Sequence, residues 1–219
     1  MKDRQIKRKI QIEARPETVF NFFMDSKRFA KWWGEGSSIE PEVGGKVIIR
    51  YPNGETASGT VLEIQKPRKI VFTYGYDSPG KPIPPGGSRV TVELTEERGG
   101  TLLSFLHEVD SREIRDLHIP GWRYQLAVFG RIVAEEEHAD VEKVVDRYFA
   151  AWGEADVSAL RNLLKASVVE DVEFRDAFGI ATDLEDLMGH IQSARLHMGT
   201  AKLERIGSVR QSNGMALVD

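Results

Sequence analysis

Between residues 5 and 14 hydrophobic and polar positions alternate, with Ile6, Ile10 and Ile12 at even spacing and Lys7, Lys9 and Gln11 between them. Period-two alternation sends successive side chains to opposite faces and predicts a half-buried strand. The period then changes. In ARPETVFNFFMDSKRFAKWWG, Val19, Phe20, Phe23 and Met24 recur at helical spacing. Pro16 suits a first helical turn, where its missing N–H costs nothing. Asp25-Ser26 interrupts, so a second short helix is expected from Ser26 to Trp33, ended by Gly34. From about 42 to 109 period two returns and predicts strands at 45–51, 56–65, 69–76, 88–95 and 101–109. Asn53-Gly54 and Gly99-Gly100 mark tight turns. DSPGKPIPPGGS, residues 77–88, is too rich in Pro and Gly for regular structure and is expected as a long surface loop, a candidate lid. From Pro120 to about Glu136, Trp122, Leu126, Phe129 and Val133 share one face of an amphipathic helix. A strongly curved sheet cannot cover its own concave side, so this helix is expected to lie across it and enclose an apolar cavity.

A second pattern begins near residue 137. HADVEKVVDRYFAAWGEAD and VSALRNLLKAS each carry an apolar helical stripe, and SVVEDVEFRDAFGI reads as a short strand and bend. TDLEDLMGHIQSARLH is a third helix that Thr182 or Asp183 would cap. The last twenty residues read as two strands joined through Ser212-Asn213-Gly214. Charge changes at the same place. Residues 1–136 carry 21 Lys/Arg against 19 Asp/Glu, whereas residues 137–219 carry 9 against 15. Two domains are therefore expected, 1–136 and 137–219, both α+β. Neither half has the concentrated basic face a nucleic-acid binder needs. No apolar run approaches the roughly 18 to 20 residues that span a bilayer, so no membrane partner is expected. Without cysteine there are no disulfides, thiolate nucleophiles or cysteine–zinc sites, and a cytoplasmic location is expected.

Several segments together resemble a known family: Ala14–Pro16 followed by VFNFF, FAKWWG at 29–34, VGG at 43–45, GTVLEIQKPRKIVFTY at 59–74, VTVELTEERGGTLLSFLHE at 90–108 and GWRYQL at 121–126. These look like the activator of heat-shock-protein-90 ATPase homologue-like family of the START-related (SRPBCC) helix-grip superfamily. That resemblance implies a helix-grip fold binding lipids, steroids, polyketides or other apolar ligands, and its name derives from a co-chaperone domain. VVDRYFAAWGEADVSALRNLL, VEFRD and GMALVD resemble the SnoaL-like group of the nuclear-transport-factor-two-like superfamily. A full member would continue with further long strands after Asp219, so the second domain is expected to be a partial, cone-shaped α+β fold.

The candidate chemistry lies in the first domain. His107 follows Leu103 and Phe105 at period two and is expected to face the cavity with them. Tyr74 and Tyr76 share a face with Ile70 and Phe72. A histidine and two phenols in an apolar cavity suit fixing a ligand carbonyl or hydroxyl, or transferring a proton; a hydrogen-bonded core histidine with packing tyrosines is the simpler alternative. Trp32 and Trp122 are expected either to line the cavity mouth or to close the core end where the short helices meet the sheet. Arg89, with Arg50 and Arg123, is a cation at the rim or interior suited, if inward, to a ligand carboxylate or phosphate, the more common outcome being a solvated outer-face pair such as Arg89 with Glu93. The five histidines show no zinc-binding spacing, so no metal is expected. No phosphate loop or nucleophile elbow is present, so the sequence assigns no catalytic residue, and no cofactor is expected. A small apolar or amphipathic ligand is the leading expectation. The alternatives are co-chaperone activity and a cyclase or isomerase type of enzyme. The C-terminal segment is expected either to pair two chains as a homodimer or to pack on its own first domain.

Overall fold

The computed structural model describes residues 2–199, 202–212 and 214–219. The chain divides into two compact units, one running to His138 and one made of Ala139–Gln211 with Met215–Asp219.

In the first unit β1 (Gln5–Ile12), α1 (Pro16–Asn21) and α2 (Ser26–Trp33) are followed by six strands and a long helix. The strands are β2 (Ser38–Ile39), β3 (Lys46–Arg50), β4 (Thr56–Gln65), β5 (Lys69–Tyr76), β6 (Ser88–Glu97) and β7 (Gly100–Glu108), and the helix is α3 (Arg112–Glu137). One antiparallel sheet orders them β1-β7-β6-β5-β4-β3-β2. With α3 packed against it, this is a mixed α+β unit consistent with the helix-grip fold. Three details depart from the sequence reading. β2 is too short to leave a periodic signal and pairs with Val47 and Ile48. The β6–β7 turn is Arg98-Gly99, both at positive φ, and not Gly99-Gly100. Gly100 instead begins β7, where a Cβ would lie 2.4 Å from the carbonyl oxygen of Ile12. Finally, α3 starts eight residues before Pro120.

That early start has a local cause. Ser111 caps α3 by accepting the Ile114 N–H at 3.2 Å. The inward stripe then runs Ile114, His118, Trp122, Leu126, Phe129 and Val133, every member but Ile114 buried. A histidine at the second position masked the apolar periodicity, and Pro120 is accommodated inside the helix. At the other end of α3, Phe129 is fully buried, its ring 5.8 Å from Phe22, 5.4 Å from Phe23 and 4.8 Å from Trp32. Glu136 pairs with Arg28 at 2.5 Å and Lys31 at 2.6 Å, and Glu137 pairs with Arg15 at 2.7 Å. These pairs fasten the end of α3 to α2 and to the segment before α1.

The second unit contains α4 (Val141–Gly153), α5 (Val157–Lys165), a hairpin of β8 (Phe174–Arg175) and β9 (Ile180–Ala181), α6 (Leu184–Met198), and a β10 (Arg210–Ser212) and β11 (Met215–Leu217) pair. Its core joins Trp152, Leu160, Leu164, Leu184, Leu187 and Ile191. Asp183 caps α6 by accepting the Asp186 N–H at 2.8 Å. Asn213, expected at the centre of the last turn, lies outside the described residues. Among the described residues, no helix is long and apolar enough to cross a membrane.

Candidate functional site

A cavity of about 580 Å³ opens between α3, the C-terminal ends of β3 and β5, and the 77–87 loop. That size is ordinary for a small-molecule site. Each wall has a sequence cause. Inward alternation on β3 runs Val47, Ile49 and then Tyr51, just past the strand. On β5 it runs Ile70, Phe72, Tyr74 and Tyr76, the last two reaching the cavity. Trp33 arrives from the end of α2, and α3 supplies His118, Trp122 and Gln125. Gly121 also lines it, and a Cβ there would meet nothing within 4 Å, so this turn of the helix recedes and leaves space. Lys81 and Pro82 of the loop form part of the rim. The loop is held rather than loose, since Ile83 is buried and its carbonyl accepts the Tyr76 N–H at 2.8 Å.

The polar groups on these walls are nearly all committed. The Tyr51 and Tyr74 hydroxyls lie 2.6 Å apart, and burial pushes both phenols well above their ordinary pKa, so they stay protonated. His118 places Nδ1 2.7 Å from the carbonyl of Ile114, which fixes the proton on Nδ1 in the neutral ring. Nε2 then accepts from the Tyr76 hydroxyl at 3.2 Å. Lys81 pairs with Glu55 and lies 5.5 Å above the Tyr76 ring. The side-chain amide of Gln125 donates to the Trp32 carbonyl. By contrast, the buried indole N–H of Trp33 has no acceptor among the described residues.

His107 lies behind this surface, fully buried and absent from the wall. Trp122 donates its indole N–H to His107 Nδ1 at 2.9 Å. The remaining proton is therefore on Nε2, which donates to Ser88 Oγ at 2.7 Å. Ser88 passes its own proton to the carbonyl of Tyr74, also at 2.7 Å. Every donor and acceptor in this relay is satisfied by a neutral ring. Burial, with His118 adding repulsion, lowers the His107 pKa from 6.5 to about 3.

Of the residues singled out from the sequence, Tyr74, Tyr76 and Trp122 are brought together on the wall. Three others require correction. His107 has no free nitrogen and supports Trp122 from behind. Trp32 is buried against Phe23, Phe29 and Phe129, and its neighbour Trp33 takes the position on the wall. Arg89 is exposed, paired in register with Thr73 and Glu108 on the opposite face of the sheet from Val90 and His107. Arg50 and Arg123 are exposed as well. Tyr51 and His118 escaped the sequence reading although their signals were present: Tyr51 continues the Val47–Ile49 alternation, and His118 stands one turn before Trp122. Among the described residues, no three His, Asp or Glu side chains converge as a metal site would require.

No curated protein matches the chain. Solved structures do. Protein CV1439 from Chromobacterium violaceum is 24% identical over 60% of this chain and 97% of its own, with a TM-score of 0.50. Protein MLL2253 from Mesorhizobium loti is 20% identical over 58% and 94%, with a TM-score of 0.51. Both share the fold of the first unit. CalU16 from Micromonospora echinospora is 26% identical over 60% and 77%, with a TM-score of 0.49. Residues 13–134, more than half the chain and nearly all of the unit that holds the cavity, match one family throughout, and the chain belongs to the Activator of Hsp90 ATPase homolog 1-like protein family.

Proposed function

We propose that the first unit binds a small amphipathic ligand in the cavity between α3, β3 and β5. The observation that carries this reading is the wall itself: Trp33, Tyr51, Tyr74, Tyr76 and Trp122 line a space of about 580 Å³, with the Tyr51–Tyr74 and Tyr76–His118 hydrogen-bonded pairs among them. Aromatic walls with a few placed polar groups suit ligands that are mostly apolar. The family commonly binds hydrophobic ligands, which agrees. Native mass spectrometry of the purified chain tests the proposal, with Gly121→Phe as the control because the new ring projects into the cavity. The chain should retain a small molecule that the variant lacks. Equal retention by both would place the ligand elsewhere and overturn the reading.

The family's name refers to activation of a chaperone ATPase. The aromatic lining of this open cavity, a property of this chain's own residues, favours ligand binding over that role. The Tyr76–His118 pair is the feature of the wall that suits proton transfer, as a cyclase or isomerase would need. For the second unit we retain the reading of a partial SnoaL-like domain. Its order of helices and its hairpin support this, as does His190 Nε2 lying 2.9 Å from Asp176 beside Trp152 and Phe174. Exposed Ile206, Met215 and Leu217 support its pairing with a second copy.

A further inference from the structure

The 77–87 loop is fixed at its root but not through its backbone at the tip. At the root the Asp77 N–H donates to the carbonyl of Thr56 at 3.0 Å, and the Ser58 hydroxyl donates to Asp77 Oδ1 at 2.5 Å. Ile83, buried, closes the other side by accepting the Tyr76 N–H. Among the described residues, 78–82 make no backbone hydrogen bond, and Pro79, Gly80, Lys81 and Pro82 are exposed. The two prolines have no N–H to give.

One carboxylate holds that tip. Glu55 Oε1 accepts the Ser78 hydroxyl at 2.5 Å, and Oε2 pairs with the Lys81 ammonium. Lys81 is thereby carried over the Tyr76 ring, 5.5 Å from its centroid. Glu55 stands on a fixed base. Its N–H donates to Asn53 Oδ1 at 3.1 Å, and its carbonyl accepts the Tyr51 N–H at 2.9 Å. Its side chain is only 17% exposed, so salt and water weaken the pair less than they would on an open surface.

Glu55, Lys81 and Pro82 all line the cavity. The walls made by Trp33, Tyr74 and Trp122 are packed into the core and cannot withdraw without unpacking it. The side made by Lys81 and Pro82 depends on two side-chain contacts to a single residue. The cavity stays open with those contacts made, so entry does not wait on them. Contacts between the held tip and an occupant would instead slow departure.

We propose that Glu55 sets how long the cavity keeps its ligand, by clasping the 78–82 tip against the occupant. This rests on the ligand-binding proposal and adds the regulation of that site. Glu55 is a positioning residue, acting through Lys81 and Ser78.

Stopped-flow release of N-phenyl-1-naphthylamine tests it, since this dye carries no charge to pair with either residue. Glu55→Ala should release the dye about fivefold faster, the worth of one ion pair and one hydrogen bond. Lys81→Met leaves Ser78 in place and should speed release about twofold. Adding Lys81→Met to Glu55→Ala should change nothing further, because the pair is already broken. Exchanging the charges, Glu55→Lys with Lys81→Glu, should recover slow release, which lost packing would not explain. Association should stay within about twofold throughout. The chain has no cysteine, so Pro79→Cys takes a single nitroxide label, whose spectrum without dye should sharpen when Glu55→Ala is added. Equal release from the chain and Glu55→Ala, additive effects of the two substitutions, or a label equally mobile in both would overturn the inference and leave the ligand-binding proposal standing. Failure of the unsubstituted chain to bind the dye would overturn both.

Discussion

The buried relay behind the cavity makes a quantitative prediction about acid stability. His107 is neutral in the native state, held by Trp122 on Nδ1 and Ser88 on Nε2, and its pKa falls from 6.5 to about 3. Above about pH 7.5 both the folded and unfolded chains carry a neutral ring, so the group adds no pH dependence. As pH falls through 6.5 the unfolded chain takes up a proton that the native chain does not, and stability falls with it. The limiting slope is about 1.4 kcal/mol per pH unit. Between about pH 7.5 and pH 4.5 the loss comes to about 2.7 kcal/mol, and it changes little for any native pKa below about 4. The perturbation is His107→Gln, whose amide accepts from Trp122 and donates to Ser88 but does not titrate. Urea unfolding followed by tryptophan fluorescence at both pH values gives the loss for each protein. Every other titrating group cancels in the comparison, so the unsubstituted chain should lose about 2.7 kcal/mol more than the variant. Equal losses would show that His107 is protonated in the folded state or is not buried as described, and the assigned tautomer would fall with it.

Three further outcomes follow from the same geometry. Phe129→Ala, which removes the ring shared by Phe22, Phe23 and Trp32, should destabilise the first unit by about 3–5 kcal/mol in urea unfolding, and a loss under about 1 kcal/mol would contradict its central place. Asp183→Ala should cost α6 its cap and about 1 kcal/mol, read as a lower thermal midpoint of the second unit, with Asp183→Ser recovering most of it. If Met215 and Leu217 cover each other between two copies, the chain sediments as a dimer and Met215→Ser with Leu217→Ser converts it to a monomer; a monomeric parent chain would refute this pairing.

Much of this was readable beforehand, for identifiable reasons. Period-two alternation placed the strands because one face of the sheet is buried and the other is not, as at Ile6 and Ile12. The same alternation put Tyr74 on the buried face, but it could not distinguish a wall residue from one behind the wall. His107 obeys the pattern as well as Tyr74 does and still ends up behind Trp122. Facing inward and being accessible are separate properties, and the second is set by the helix that packs across the sheet. Adjacent tryptophans show the same difficulty. One of Trp32 and Trp33 had to line the cavity and the other to fill the core, and only the angle at which α2 meets α3 decides which. Arg89 needed only its partners across the ladder, Thr73 and Glu108, to be assigned outward. The start of α3 was hidden because a polar residue, His118, occupies a core-facing position and finds its hydrogen bonds in Ile114 and Tyr76.

Whether the cavity beside Tyr51, Tyr74 and Trp122 is a ligand site is tested most directly with the uncharged dye N-phenyl-1-naphthylamine, titrated into the chain and into Gly121→Phe. Saturable one-to-one binding by the chain, lost in a variant of unchanged circular dichroism, is the expected result. Binding of equal affinity in both, or no saturable binding by the unsubstituted chain, would contradict the assignment of the cavity as the ligand site.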